Sequence, residues 1–225
     1  MAQASNPVSF DRIARPYRWL EYLTLGPLLQ RTRLHFLPQL LTQRRALVLG
    51  DGDGRFLAEL LHRNPTLCAD AVDTSAVMLA LLTERTGTAR VTPHQQSALD
   101  YQPTAPIDLI VTHFFLDCLR QSELEALIER LVPHLTPDAL WVVSDFRIPT
   151  GPMRWPARLY VGLLYRVFGL LTGLRIRHLP NFASALEAAG LIRVGFHHRL
   201  FSLLTSELWR VQSPTNAKSK ESALQ

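Results

Sequence analysis

The run Ala46-Leu47-Val48-Leu49-Gly50-Asp51-Gly52-Asp53-Gly54 closes an apolar stretch with alternating glycines and passes into the helical pattern Arg55-Phe56-Leu57-Ala58-Glu59-Leu60-Leu61. A strand that turns this way into a helix can bring bare backbone against a ligand, because glycine lacks the Cβ that would block the approach. A second apolar run, Leu67 to Val72, delivers Asp73 to the neighbouring strand end, 19 residues beyond Gly54. A carboxylate placed there can accept both hydroxyls of a ribose. Cradle and carboxylate together read as a nucleoside site.

The glycine spacing decides which nucleoside. A dinucleotide fingerprint needs a third glycine three residues after the second, so that a pyrophosphate rests on the helix N-terminus. Here Arg55 stands at that position, and Asp51 and Asp53 are expected to repel a diphosphate. A nucleotide P-loop is excluded, since the run has no Gly-Lys-Ser/Thr ending. A phosphate-free, cationic nucleoside fits better.

This run resembles the first motif of the class I S-adenosylmethionine (SAM) dependent methyltransferases, and two further stretches follow in the order of that family. Val72-Asp73-Thr74-Ser75-Ala76-Val77-Met78-Leu79 is similar to the second motif, a ribose-binding acid followed by a helix whose methionine packs on the adenine. Asp108-Leu109-Ile110-Val111-Thr112-His113-Phe114-Phe115 is similar to the fourth, a strand that ends beside the reactive methyl. The opening Phe10-Asp11-Arg12-Ile13-Ala14-Arg15-Pro16-Tyr17 resembles the ubiquinone/menaquinone C-methyltransferase branch, where the tyrosine reaches the methionine end of the cofactor; a core tyrosine is the other reading of Tyr17. The resemblance implies S-adenosyl-L-methionine as cofactor, held by Tyr17, Gly50, Asp51, Gly52, Asp73, Thr74, Met78, Ser97, Ala98 and Thr112. Two positions depart from the pattern. Val48 stands where an acid usually precedes the first glycine, and Ser97 where an Asp often reads the adenine amino group, a bond that a hydroxyl can still accept.

Methyl transfer from a sulfonium is an in-line displacement, so positioning and exclusion of water are the main requirements. Where the acceptor needs a base, His113 directly after the fourth strand is the candidate, with a histidine hydrogen-bonded to nearby backbone as the alternative. Asp117 is expected either to orient His113 or to cap the helix that begins near Gln121. Arg147, at the end of the fifth strand, is a candidate partner for an acidic group on the substrate.

The elements that must position these residues alternate strand and helix from Arg45 onward, which predicts a Rossmann-like α/β fold. Its sheet has seven strands, mostly parallel, with helices on both faces. Strands are expected at 45–49, 69–73, 89–93, 107–112, 139–145, 192–198 and 203–211, and helices at 54–63, 75–86, 121–134 and 181–189. Two helices, Asp11 to Leu25 and Pro27 to Leu41, are expected to form a cap over residues 1–43, ahead of a SAM-binding domain at 44–211. The polar stretch 212–225 reads as a disordered tail.

A helical insert is expected after the fifth strand, at 151–180. There Trp155, Leu159, Tyr160, Leu163, Val167 and Phe168 recur at helical spacing among Arg154, Arg158, Arg166, Arg175 and Arg177. The readings are a lid lining the substrate pocket through Tyr160 and Phe168, peripheral contact with anionic lipid through 154–177, or an ordinary packing helix.

Composition bounds the partners. At 225 residues, 47% hydrophobic and 19% charged, the chain suits one globular domain. Its net charge of +5 invites an anionic partner, but the arginines are scattered and Lys218 and Lys220 are the only lysines, so no nucleic-acid partner is expected. Cys68 and Cys118 lack metal-ligand spacing, which predicts no metal site and a reducing compartment; with no secretory pattern at the start, a cytoplasmic protein is expected. The apolar stretch Leu159 to Leu174 is shorter than a bilayer span and carries Arg166. The sequence therefore predicts a SAM-dependent methyltransferase acting on a small, largely apolar acceptor of quinone-like, aromatic, fatty or polyketide type. The alternatives are an RNA or protein methyltransferase and a non-catalytic SAM-fold partner protein.

Overall fold

Parallel strands covered on both faces must be apolar along their whole length, and β1 (Arg45–Leu49) is buried from Ala46 to Leu49. Its odd and even residues feed two separate cores. Ala46 and Val48 join Phe56, Leu57 and Leu60 on one face, while Leu47 and Leu49 join Leu124, Leu127, Ile128 and Trp141 on the other. The computed structural model describes residues 25–149, 151–152, 154–172 and 179–212.

Around β1 lie β2 (Cys68–Asp73), β3 (Val91–Gln95), β4 (Ile107–His113), β5 (Leu135–Phe146), β6 (Leu191–Arg199) and β7 (Leu204–Val211). They form one seven-stranded sheet in the order β3-β2-β1-β4-β5-β7-β6, with β7 antiparallel to both its neighbours. The helices are α1 (Gly26–Arg33), α2 (Arg55–Arg63), α3 (Ala76–Thr86), α4 (Gln121–Leu131), α5 (Arg154–Thr172) and α6 (Phe182–Ala188). The chain runs outward from β1 to β3 and returns to β4 beside β1, with Leu49 opposite Thr112. This is the reversal point at which open α/β sheets leave a crevice beyond their strand ends.

Several boundaries depart from the sequence reading, each for a local reason. The helix expected over Pro27 to Leu41 ends at Arg33 and resumes as a 3-10 turn over Leu37–Leu40, because Pro38 has no N–H to donate to the carbonyl of Leu34. Pro133 likewise ends α4 at Leu131 and leaves a 3-10 turn over Val132–His134. β3 begins two residues later than expected and includes Pro93, which is tolerated because β3 is an edge strand. β5 starts at Leu135, ahead of the apolar run. Its extra residues are absorbed by a register shift between Ile107 and Leu109 and by Asp138 at φ +61°. Residues 11–24 of the expected first helix, with Tyr17, and residues 213–225 of the tail lie outside the described residues.

Candidate functional site at the strand ends

The three glycines after β1 all have positive φ, but for different reasons. A Cβ on Gly50 would sit 2.6 Å from the ring of Phe115, and one on Gly54 would sit 2.7 Å from Leu82 on α3. Those two glycines answer to packing within the protein. Gly52, at φ +61°, would meet nothing within 4 Å, and its backbone is the open cradle of the run. Packing thus gives Gly50 and Gly54 a reason of their own, and Gly52 is the glycine of the three whose Cβ position is open.

The two aspartates of the run are also tied inward. Asp51 Oδ2 accepts the N–H of Leu57 at 3.1 Å, satisfying a donor in the first turn of α2. Asp53 Oδ2 accepts from Arg55 Nε and Arg85 Nη2, both at 3.0 Å, and its carbonyl accepts from Arg85 Nε at 2.9 Å. With its charge compensated in this way, Asp53 is no barrier to a diphosphate. The glycine spacing and Asp51, whose Oδ2 accepts from the neutral Leu57 N–H, carry that exclusion.

Gly50 N–H donates to the Val72 carbonyl at 3.1 Å, which fixes the β1 turn against the end of β2. Asp73 stands there half-buried, its Oδ1 accepting the Ser75 N–H at 2.8 Å. The Ser75 hydroxyl in turn caps α3 by accepting from Met78 N–H. Thr74 follows Asp73 at the mouth, Met78 is buried on α3, and Ala98 is buried beyond β3. Ser97 Oγ accepts from Leu99 N–H at 3.1 Å and keeps a further lone pair. Thr112 does not reach this cleft with its side chain: the hydroxyl accepts from Trp141 Nε1 at 3.0 Å in the opposite core. Val48 is 1% exposed within the sheet, a position where an acid would be desolvated. An open glycine backbone beside a carboxylate suits a ribose-bearing cation, and the donor set fits SAM.

Across the reversal point the ends of β4 and β5 carry a different chemistry. His113 is the last residue of β4, 2% exposed, with its ring edge-on to Phe56 at 4.3 Å. Neither ring nitrogen has a hydrogen-bond partner among the described residues, so the backbone-bonded alternative is not observed. Burial, with Arg33 nearby, holds the imidazole well below its ordinary pKa, leaving it neutral. Phe114 follows at φ +54°, a backbone conformation that costs a bulky residue about 1–3 kcal/mol and is kept where the surroundings require it. Its ring meets Phe146, at the end of β5, with centroids 5.2 Å apart, and Arg33 lies 5.2 Å from its centroid.

Asp117 neither orients His113 nor caps α4, whose N-terminus is closed by Glu123 accepting the Arg120 N–H at 2.9 Å. It sits 5% exposed beside Asp145, at the end of β5 and 1% exposed; the Asp117 N–H donates to Asp145 Oδ2 at 3.1 Å. Burial, and then the charge of Asp117, push the Asp145 carboxyl well above the usual carboxylate range. The same surroundings raise the Cys118 thiol, again mainly by burial. Arg147 extends away from this cleft, with its guanidinium 5.7 Å over Phe196 on β6. Tyr160 is half-buried on α5, and Phe168 is on the same helix with its side chain outside the described residues.

Arg33, Phe114, Asp145 and Phe146 were missed from the sequence. Asp145 carried a signal, since it closes an apolar run as Asp73 does. Arg33 carried none, because only the packing of α1 brings it to β4.

Residues 47–141 match the model of a family described as a methyltransferase domain. Among curated protein sequences none matches the chain. Among solved structures, the N-methyltransferase NodS from Bradyrhizobium japonicum WM9 in complex with S-adenosyl-L-homocysteine is 16% identical at a TM-score of 0.62, over 82% of this chain and 88% of that one. An O-methyltransferase family protein from Burkholderia thailandensis is 17% identical at a TM-score of 0.67, over 90% of this chain but 60% of that one. The mitomycin 7-O-methyltransferase MmcR is 19% identical at a TM-score of 0.65, over 92% of this chain and 62% of that one. At these identities the likeness is one of fold. Match and fold together support a methyltransferase domain over residues 47–141, with S-adenosyl-L-methionine as its cofactor.

Proposed function

We propose that this chain transfers the methyl group of S-adenosyl-L-methionine to a small, largely apolar acceptor held at the ends of β4 and β5. The observation that carries the reading is the pairing, across adjacent strand ends, of the open Gly52 backbone with the Asp73 carboxylate. Asp73 accepts the ribose hydroxyls, Gly52 and Thr74 border the cofactor, and Met78, Ser97 and Ala98 surround its adenine. When bound, the cofactor supplies an electrophilic sulfonium methyl. Phe114 and Phe146 form an apolar wall beside it, which favours an aromatic or aliphatic acceptor and excludes water. The quinone-like class rests on the resemblance of residues 10–17, with Tyr17 at the methionine end. The small-molecule acceptor agrees with a structural neighbour that methylates mitomycin.

His113 is the base in this reading, since its neutral imidazole, without a partner among the described residues, is the form that can take a proton from an acceptor seated against it. Tyr160, half-buried on α5, borders the route of entry in this reading, while Arg147, turned to Phe196, takes no part in it.

Calorimetric titration with SAM, followed by incubation with methyl-labelled SAM and fractionation into lipid, RNA and protein, tests the proposal. Label is expected in the small-molecule or lipid fraction. Label in RNA or protein would replace the acceptor class, and absence of SAM binding would leave a non-catalytic fold partner.

A further inference from the structure

The first half of helix α5 shows a line of large apolar side chains to water. A helix packed on a core normally buries its apolar stripe and exposes its polar one. On α5 the inward positions are Ala157 and Val161, 8% and 4% exposed, while Trp155, Leu159 and Leu163 point outward at 74%, 70% and 58%. These three recur every four residues, so they form one continuous ridge along roughly 12 Å of helix. Scattered exposed leucines need no explanation, but an aligned Trp-Leu-Leu ridge does.

The charges beside the ridge select its partner. Arg154, Arg158 and Arg166 are all exposed, and the helix contains no Asp or Glu from end to end. Helical geometry puts Arg154 and Arg158 along one flank and Arg166 beyond the far end. No helix among the described residues is long and apolar enough to cross a membrane. A tryptophan and two leucines in line, flanked by arginines alone, match a helix lying in the plane of a bilayer surface.

From this we infer that α5 docks the protein on an anionic lipid surface, with Trp155, Leu159 and Leu163 entering the headgroup boundary and Arg154, Arg158 and Arg166 pairing with lipid phosphates. The inference goes beyond methyl transfer and stands without it. Because α5 follows the end of β5 by only a few residues, docking would bring the Phe114–Phe146 wall close to molecules dissolved in the bilayer.

The test is flotation of the full chain with vesicles of phosphatidylcholine alone or mixed with phosphatidylglycerol, at low and high salt. Binding is expected only to the anionic vesicles and is expected to fall with salt. Each of Arg154→Ala, Arg158→Ala and Arg166→Ala should weaken it about fivefold, the value of one basic side chain near such a surface. Leu159→Glu combined with Leu163→Glu should weaken it by about tenfold or more. These side chains are exposed, so unchanged thermal melting will show that the variants fold. A blue shift of tryptophan emission with anionic vesicles, absent in Trp155→Phe, would identify the inserted residue. Failure to float, equal binding of the double glutamate variant, or equal binding to neutral vesicles would overturn the inference. So would self-association without lipid that the same glutamates abolish, since the ridge would then belong to a second copy of the chain.

Discussion

The two halves of the crevice differ in how they treat polar groups. At the ends of β1 and β2 each aspartate is bonded inward: Asp51 to the start of α2, Asp53 to Arg55 and Arg85, and Asp73 to Ser75. At the ends of β4 and β5 a neutral histidine has no hydrogen-bond partner among the described residues, two carboxyl groups are buried together, and Phe114 holds a costly backbone angle. The first half is built to present a fixed shape. The second keeps an imidazole with no partner among the described residues, two carboxyl groups that burial makes costly to ionise, and backbone strain, all of which cost folding.

The comparison can be broken most directly at His113. As base, its replacement by leucine should lower kcat by about 10²–10⁴. The same change removes two buried nitrogens that have no partner among the described residues and should raise folding stability by about 1 kcal/mol. Denaturation together with kinetics on one variant reads both effects; a destabilised variant with full activity would make His113 an ordinary core residue. A flat wild-type rate from pH 8 to 6 is expected even with His113 as base, because burial keeps the imidazole deprotonated through that range. The rate should fall only at more acid pH.

On the cofactor side the glycines should separate. Gly54→Ala forces a Cβ against Leu82 at positive φ and is expected to destabilise the fold by about 2–4 kcal/mol. Gly52→Ala meets open space and should cost stability only its backbone strain, about 1–2 kcal/mol, while weakening SAM binding. Comparable losses of stability in the two variants would deny Gly52 its separate role. Asp73→Ala should weaken SAM binding by about 1–3 kcal/mol, the value of charge-assisted hydrogen bonds, as read by calorimetry.

The smallest effect concerns the carboxyl pair. With its pKa raised in the folded state, Asp145 binds its proton more tightly there than in the unfolded chain. Its contribution therefore falls as pH rises from the unfolded value near 4 through the raised folded value. Asp117→Asn removes the neighbouring charge while keeping the backbone bond to Asp145 Oδ2. Relative to wild type, the variant should gain thermal stability above that window and little below it. A melting difference that is constant with pH would show that Asp117 does not load Asp145.

By itself the sequence determined the central strands β1 and β4, because strands buried on both faces must be apolar throughout, a pattern that the half-exposed edge strands β3 and β6 lack. It also made the proposed cofactor half legible, where a strand, its turn and its helix are contiguous and Gly50 to Gly54 and Asp73 lie close along the chain. Tertiary structure decided the rest. Only packing shows that Gly50 answers to Phe115 and Gly54 to Leu82, that Asp53 is neutralised by an arginine 32 residues away, and that Thr112 turns from the crevice toward Trp141. The proposed acceptor half joins Arg33, His113, Phe114 and Asp145 from three separate elements. Burial, which is a property of the assembled core and not of any one segment, sets the protonation of His113 and Asp145.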